Sequence, residues 1–341
     1  MLTLVSQLNT KLETQQEVSL ASSAAILKSA GDSLRAQILR ILQHDAYGVL
    51  ELCRIFDTRQ PAMSHHLKLL SKAGLVASRR EGTNIFYRRS CYQQDDLDTI
   101  RHQIFAQLDL CAVDDRIIKR IDEVNAGRAE RSRAFFRNNV ERFREQQDLI
   151  ASYSQYGDSV IELIDGLQLP KTKTVLEIGP GEGELLPSLA ARFQQVIAVD
   201  NSAELLDQAR ISVNPSATRL PGDSAITNID FLLGDVNALD PVVNADLVIL
   251  NMVLHHLAQP ADTLKSIYSQ VNAGGAVIIT DLCQHDQDWA RATCGDQWLG
   301  FSPEELTGWA NKAGFEEGES LFLSQLNGFC VQLRQFLKPA S

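Results

Sequence analysis

The sequence has no Cys-x-x-Cys pair, and its six cysteines are scattered over 341 residues. Neither a paired-cysteine metal knuckle nor a disulfide framework is therefore available to hold a chain of this length. The cysteines read as free thiols. Long apolar runs are also missing, since no stretch approaches the roughly 18 residues that a membrane-spanning helix needs. The opening MLTLVSQLNTKLETQQ lacks the basic start and apolar centre of a secretory signal. The expectation is a cytoplasmic protein without a membrane partner. Internal repeats and low-complexity tracts are absent too, so organisation must be read from periodicity and helix breakers. What remains is an ordinary globular composition, 44% hydrophobic and 22% charged, in a chain long enough for two domains.

The net charge of -11 argues against a nucleic-acid partner only until it is divided. Residues 1–149 carry 22 Lys and Arg against 19 Asp and Glu, whereas residues 150–341 carry 10 against 24. Within the first part, Arg59, Lys68, Lys72, Arg79, Arg80, Arg88 and Arg89 face a single acid, Glu81, a local charge of +6. Screening over about 8–10 Å isolates such a segment from distant acidic surface. A local basic patch is what a DNA backbone senses.

Residues 20–43 place apolar side chains at helical spacing, interrupted at Gly31-Asp32, and two shorter helices are expected over 48–56 and 60–73, separated by the turn DTRQ. After Gly74 the pattern alternates, LVASRREGTNIFYRRS, with Glu81 to Asn84 as the turn of a hairpin. Helix, turn, helix, hairpin is a winged helix-turn-helix, mainly α. Its second helix enters the major groove and reads base edges from its N-terminal part. Gln60, Ser64, His65 and Lys68 share the outward face and each offers a donor, while Met63, Leu67 and Leu70 face inward. Arg79, Arg80 and Arg88 flank the hairpin turn and suit phosphates or a minor groove. Double-stranded operator DNA is the expected partner.

The stretch QPAMSHHLKLLSKAGLVASRREGTNIFYRR resembles the recognition helix and wing of ArsR/SmtB-type repressors, over roughly residues 20–112. The resemblance implies a homodimer, paired through its first and last helices, on an inverted-repeat operator. Many such relatives sense thiophilic metals through two cysteines in an ELCVCDL segment. Here the segment reads ELCRIFD, so Cys53 is kept and Ile55 stands where the second thiolate would be. No metal ligands are assigned.

From Gln94 to about Ile150 the sequence is helical and polar, read as a dimerisation helix to residue 112 and a solvated connector over 113–150. Beyond it, TVLEIG, QVIAVD, IDFLLGD, ADLVILN and AVIITDL alternate with helical stretches, the pattern of an α/β doubly wound, Rossmann-like sheet. Two strand-like runs around Leu326-Asn327-Gly328 suggest an antiparallel hairpin at its edge. The expected division is therefore 1–112, 113–150 and 151–341.

Glu177-Ile178-Gly179-Pro180-Gly181-Glu182-Gly183 follows the first of these strands, where glycines let a backbone approach a nucleoside. Asp200 ends the next strand, 21 residues after Gly179, and with Asn201 is placed to meet ribose hydroxyls. Gly-x-Gly-x-Gly differs from the dinucleotide pattern, and Glu177, Glu182 and Glu184 would repel a pyrophosphate but tolerate a sulfonium and an ammonium. The expected cofactor is S-adenosylmethionine. This region resembles class I methyltransferases over roughly 153–337, through VLEIGPGEGELL, VIAVD, FLLGDV, ADLVILNMVLHHL and VNAGGAVIITDL. The resemblance implies that Asp235 and Val236 flank the adenine and that Asn251 lines the pocket near the methionine moiety.

The acceptor side is less legible. His255 and His256 follow the fourth strand, where either an active-site base or a packing pair can stand. DLCQHDQDWARATCGDQWLGF gathers Asp281, Cys283, His285, Cys294 and Asp296 after the fifth strand, as a substrate lid with ordinary thiols or as a soft-metal site from Cys283 and Cys294. Methyl transfer demands alignment more than a base, because the sulfonium is already activated. The expected function is an operator-binding regulator that methylates a small molecule or senses cofactor status. The alternatives are a degenerate methyltransferase fold serving only as a ligand receptor, or a thiol- or metalloid-responsive repressor with an arsenite-type methyltransferase.

Overall fold

The computed structural model describes residues 20–43, 45–81, 84–90, 97–139, 142–214, 225–239 and 243–340. The chain divides into two compact units, Met1–Val124 and Asn125–Ser341.

In the first unit, α1 (Leu20–Ala30) and α2 (Ser33–Ile41) break where the sequence has Gly31-Asp32. Asp32 caps α2, its side chain accepting from the Arg35 amide at 3.0 Å, which satisfies one of the amides a helix start leaves unpaired. A two-residue β1 (Tyr47–Gly48) leads into α3 (Val49–Phe56), and α4 (Gln60–Lys72) starts with Pro61 in its first turn, where a missing N–H costs nothing. β2 (Val76–Glu81) and β3 (Asn84–Arg89) form the hairpin, in a sheet ordered β1-β3-β2. Residues 82 and 83, the centre of the expected turn, lie outside the described residues, but Glu81 pairs with Asn84. α5 (Asp98–Asp109) follows. The core is built from Ile38, Leu39, Leu52, Ile55, Met63, Leu67, Leu70 and Leu75, all fully buried. Each such side chain contributes about 1.5–3 kcal/mol by leaving water.

α6 (Asp115–Asn139) runs through Gly127 without a break. A solvated connector was expected here, yet buried groups punctuate the helix. Ile117, Ile121 and Val124 pack on the first unit's core. Arg128, 2% exposed, donates to the Ala258 carbonyl and lies over the Trp298 ring within the second unit.

The second unit continues with α7 (Phe143–Asp148) and α8 (Tyr153–Gly166). Strands and helices then alternate: β4 (Thr174–Ile178), α9 (Leu186–Arg192), β5 (Gln195–Asp200), α10 (Ala203–Val213), β6 (Ile229–Leu233), β7 (Ala245–Asn251), α11 (Pro260–Gln270) and β8 (Val271–Leu282). After α12 (Trp289–Cys294) and α13 (Pro303–Ala313), β9 (Glu316–Ser324) and β10 (Cys330–Leu337) close the chain. The seven-stranded sheet has the order β6-β5-β4-β7-β8-β10-β9. β4 to β8 pair in parallel, and β10 is antiparallel to both β8 and β9, so the expected terminal hairpin forms the edge. β4 and β7 are buried almost throughout, as strands covered on both faces must be. The chain steps outward from β4 to β5 and β6, then returns to place β7 on the other side of β4. Doubly wound sheets bind ligands at such a reversal, which here falls at the carboxyl ends of β4 and β7. Among the described residues no helix is long and apolar enough to cross a membrane.

Candidate functional site

The glycine loop begins as β4 ends. Gly179, Gly181 and Gly183 all have positive φ, at 65°, 56° and 81°. A side chain at Gly179 would also strike Val253, its Cβ 2.6 Å from a Val253 methyl, so the backbone there passes directly under the segment that follows β7. At Gly183 a Cβ would press on Ala209 at 3.2 Å, which lets α10 approach the loop.

Parallel pairing brings the other expected cofactor residues to the same edge. Asp200 ends β5 beside Gly179, whose amide donates to the Val199 carbonyl at 2.8 Å. The Gly234 amide donates to the Asp200 carbonyl at 2.9 Å and so places Asp235, exposed, and Val236, buried, directly after β6. Asn201 is exposed next to Asp200. Asn251 ends β7 on the far side of β4.

Two carboxyls at this edge are held out of water. Burial pushes Glu177 up to about 8, only partly opposed by nearby Asn251. No hydrogen bond of good geometry joins them, and Glu177 Oε2 and both amide atoms of Asn251 are buried without a partner. Burial likewise raises Asp200 to about 6, against the amides of Ser202, which donates at 2.8 Å, and Asn201. Buried polar groups left unpaired cost about 1–3 kcal/mol each. Glu177 and Asn251 stand on adjacent strands of this edge, and unpaired groups of this kind are what a polar ligand would satisfy.

The charge of the loop differs from the sequence expectation of three repelling carboxylates. Arg144 on α7 reaches Glu184 at 3.0 Å and Glu182 at 3.8 Å. Two of the acids are thus partly neutralised, and the raised Glu177 is largely protonated at neutral pH. Tyr153 and Tyr156 on α8 also stand near Glu177 and Glu184. Burial first, and then those acids, push the Tyr153 phenol up to about 12. Arg144 and the tyrosines lie 20 or more positions before the glycine loop, and no local pattern marks them.

His255 and His256, one turn beyond Asn251, are buried. His255 Nδ1 lies 2.9 Å from Asp281 Oδ1, and its Nε2 faces Asp296. Burial disfavours a charged His255, but Asp281 and Asp296 outweigh it and raise the group to about 9. Burial and then the adjacent His255 push His256 well down. Neither imidazole is presented at the surface as a base. The two cysteines considered as a soft-metal pair take separate neighbours. Cys283 lies against Cys330, and the buried Cys294 thiol donates to the Gln146 carbonyl at 3.2 Å. Burial lifts Cys283 and Cys294 to about 12, so neither is a thiolate at neutral pH.

In the first unit, α4 exposes Gln60, Ser64, His65 and Lys68 along one face, with Met63, Leu67 and Leu70 turned into the core. Arg80 is exposed on β2, and Arg79 and Arg88 are half-buried on the hairpin. Arg89, counted among the local cations, is withdrawn from that face. It forms a bidentate pair with Asp109, at 2.6 and 3.0 Å, donates to the Leu39 carbonyl and stacks over Phe105. Ile55 fills the core where a metal-sensing relative would place a thiol.

A model of the methyltransferase domain matches residues 141–317, more than half of the chain. The chain belongs to that family. A second model, of bacterial regulatory proteins of the arsR family, matches residues 32–78. This methyltransferase-domain protein thus carries an ArsR-type helix-turn-helix ahead of its sheet. Over 68 residues, 19% of the chain, it is 44% identical to an uncharacterized HTH-type transcriptional regulator of Methanocaldococcus jannaschii, covering 74% of that protein. Over 158 residues, 45% of the chain, it is 25% identical to a carboxy-S-adenosyl-L-methionine synthase of Shewanella piezotolerans and spans 61% of that enzyme's length. Among solved structures, a 1,6-didemethyltoxoflavin-N1-methyltransferase of Burkholderia thailandensis with bound S-adenosylhomocysteine shares 18% identity at a TM-score of 0.48, covering 63% of this chain and 90% of that one.

Proposed function

We propose that the protein is an operator-binding regulator whose second unit binds S-adenosylmethionine or its demethylated product, and that occupancy of this site adjusts DNA affinity. The observation that carries the reading is a set of polar groups at the carboxyl edge of the sheet: the unpartnered atoms of Glu177 on β4 and Asn251 on β7, with the desolvated Asp200 at the end of β5. In this reading Gly179, Gly181 and Gly183 admit the ligand, and Asp200 and Asn201 take the ribose hydroxyls. Asp235 and Val236 flank the adenine, and Glu177 and Asn251 meet the methionine end. Gln60, Ser64, His65 and Lys68 read the major groove, and Arg79, Arg80 and Arg88 hold phosphates. The exposed Leu20 and Leu27 on α1 and Leu110 just after α5 support pairing of two copies through the first and last helices of the DNA-binding domain.

Sensing is favoured over catalysis by one feature: His255 and His256, the bases nearest that edge, are buried among carboxylates. Alignment alone can still drive methyl transfer to a small acceptor, so turnover belongs in the test. Operator binding is to be titrated with saturating S-adenosylmethionine, with S-adenosylhomocysteine and with neither, while methyl release is followed over cell extracts. Operator affinity that shifts between conditions supports the regulator. Constant affinity with turnover leaves a tethered enzyme, and no binding of either ligand rejects the reading.

A further inference from the structure

His255, His256, Asp281 and Asp296 come from three separated segments, the short turn after β7, the end of β8 and the loop after α12, yet they form one buried cluster. The segments are stapled together by their own backbone. The Gln297 and Trp298 amides donate to the His255 carbonyl at 3.0 and 3.1 Å, Gln297 Nε2 donates to the His256 carbonyl at 2.7 Å, and Trp298 Nε1 donates to the Leu257 carbonyl at 2.7 Å. On α6, Phe136 packs edge-on over His256, and Ser132 donates to its carbonyl. These contacts fix the segments that carry the side chains, and His255 Nδ1 and His256 Nδ1 add polar contacts of their own, to Asp281 and, at 3.4 Å, to the Gly295 carbonyl.

The distances within the cluster fall into two classes. His255 Nδ1 and Asp281 Oδ1 are 2.9 Å apart, a direct hydrogen bond that holds the ring. Asp296 Oδ1, in contrast, lies 3.7 Å from His255 Nε2 and 3.9 Å from His256 Nδ1, too far for hydrogen bonds. His255 Nε2 and both carboxylate oxygens of Asp296 are buried with no hydrogen-bond partner. An ion-pair cluster free to collapse would close those gaps, because an unpaired buried carboxylate is among the most costly groups a protein can carry. Ligand atoms around a tetrahedral ion with bonds of about 2.0–2.2 Å sit roughly 3.3–3.6 Å from one another. The two spacings to Asp296 exceed that by a few tenths of an ångström.

We infer that His255, His256 and Asp296 form a binding site for a divalent transition-metal ion of the zinc class, with Asp281 as the carboxylate that orients His255. One ligand atom from each of the three lies within 4.8 Å of the others. Two imidazoles and one carboxylate suit zinc, cobalt or iron(II), whereas calcium and magnesium require oxygen-rich shells. The pairing of a ligating imidazole with a carboxylate on its other nitrogen fixes the tautomer and raises ligand basicity. Three protein donors leave a fourth tetrahedral position for water or another small ligand. The site goes beyond the cofactor reading, since it uses none of the residues assigned to S-adenosylmethionine.

The test uses the full-length protein, stripped with a chelator and titrated with cobalt(II) and then zinc(II). One equivalent of cobalt per chain should give the intense visible bands of a four-coordinate ion, displaced by one equivalent of zinc. Asp296→Asn and His256→Gln should each abolish the bands, and Asp281→Asn should weaken zinc binding by about 10- to 100-fold while keeping the stoichiometry. Should a variant fail to fold, X-ray absorption of the zinc-loaded wild type decides: a shell of nitrogen and oxygen with imidazole scattering supports the site, and sulfur in the shell overturns it. Absence of stoichiometric cobalt or zinc in the wild type overturns it as well, as does an Asp296→Asn protein that binds metal like the wild type.

Discussion

The outer face of α4 and the carboxyl edge of the second unit's sheet are both polar surfaces assigned to recognition, but they store their polarity differently. Gln60, Ser64, His65 and Lys68 are exposed, so water satisfies them until a partner arrives, and their presence costs the fold almost nothing. Glu177 Oε2 and the amide atoms of Asn251 are buried without partners and Asp200 is pushed up to about 6, so the fold is less stable for holding them. An exposed face can be built from any compatible residues. A costly buried one persists where a ligand compensates, so on the proposed reading the sheet edge constrains its ligand's chemistry more closely than the helix constrains its operator.

The sharpest way to break this contrast is Asp200→Ala. Loss of charge-assisted hydrogen bonds to a ribose should weaken binding of S-adenosylmethionine by about 2–4 kcal/mol, roughly 30- to 1,000-fold. The same variant should melt no lower than the wild type without ligand, because a desolvated carboxyl has been removed. Calorimetry paired with thermal denaturation checks both; unchanged affinity, or a large loss of ligand-free stability, would reverse the reading of that edge.

Arg89→Ala should act in the opposite sense. It removes a bidentate partner from Asp109 and a donor from the Leu39 carbonyl, so the first unit should lose about 2–3 kcal/mol of stability. Operator affinity per folded molecule should stay close to that of the wild type. A stable Arg89→Ala protein that binds DNA poorly would return Arg89 to the recognition face.

Arg89 also shows where sequence reading stops. The helices, the hairpin and the parallel strands were legible because each is announced locally, by Gly31-Asp32, by alternation after Gly74 and by short apolar runs before Gly179 and Asn251. The partners of Arg89 stand 50 positions before it and 20 after, and a count of charges cannot separate it from Arg88. The same limit hid the capture of Glu182 and Glu184 by Arg144 and the convergence of His255 with Asp281 and Asp296. Asp281 and Asp296 could be noted as neighbours of a loop, but which histidine they face is set by the packing of β8 and α12 against the turn after β7. Gly127 lies within α6 without breaking it, with the Arg131 side chain near the position of a Cβ.

Arg79→Ala with Arg80→Ala should weaken operator binding by roughly tenfold or more, about 1–3 kcal/mol, and make the slope of log affinity against log salt shallower by about two, with no change in melting. An unchanged salt slope would remove the wing from the phosphate contacts.

The smallest expected effect is a pH dependence. Because Glu177 is raised from 4.5 to about 8, the stability of the ligand-free second unit should fall as pH rises through that interval, whereas a depressed carboxyl would do the reverse. A ligand that brings an ammonium or sulfonium to Glu177 favours the ionised form, so its affinity should rise with pH and level off above about 8. Glu177→Gln should flatten both curves. A pH-independent affinity in the wild type would take Glu177 away from the charged end of the ligand.

The most direct test of the proposed coupling is operator affinity measured by one method, at one salt concentration, with saturating S-adenosylmethionine, with saturating S-adenosylhomocysteine and with neither. Coupling of about 1–3 kcal/mol corresponds to a change of roughly 5- to 150-fold between at least two of these conditions. That change should vanish in Asp200→Ala at ligand concentrations that saturate the wild type but leave the variant empty. Three equal affinities, from a protein that binds both ligands, would contradict the claim that the site on the sheet governs the helix that meets DNA.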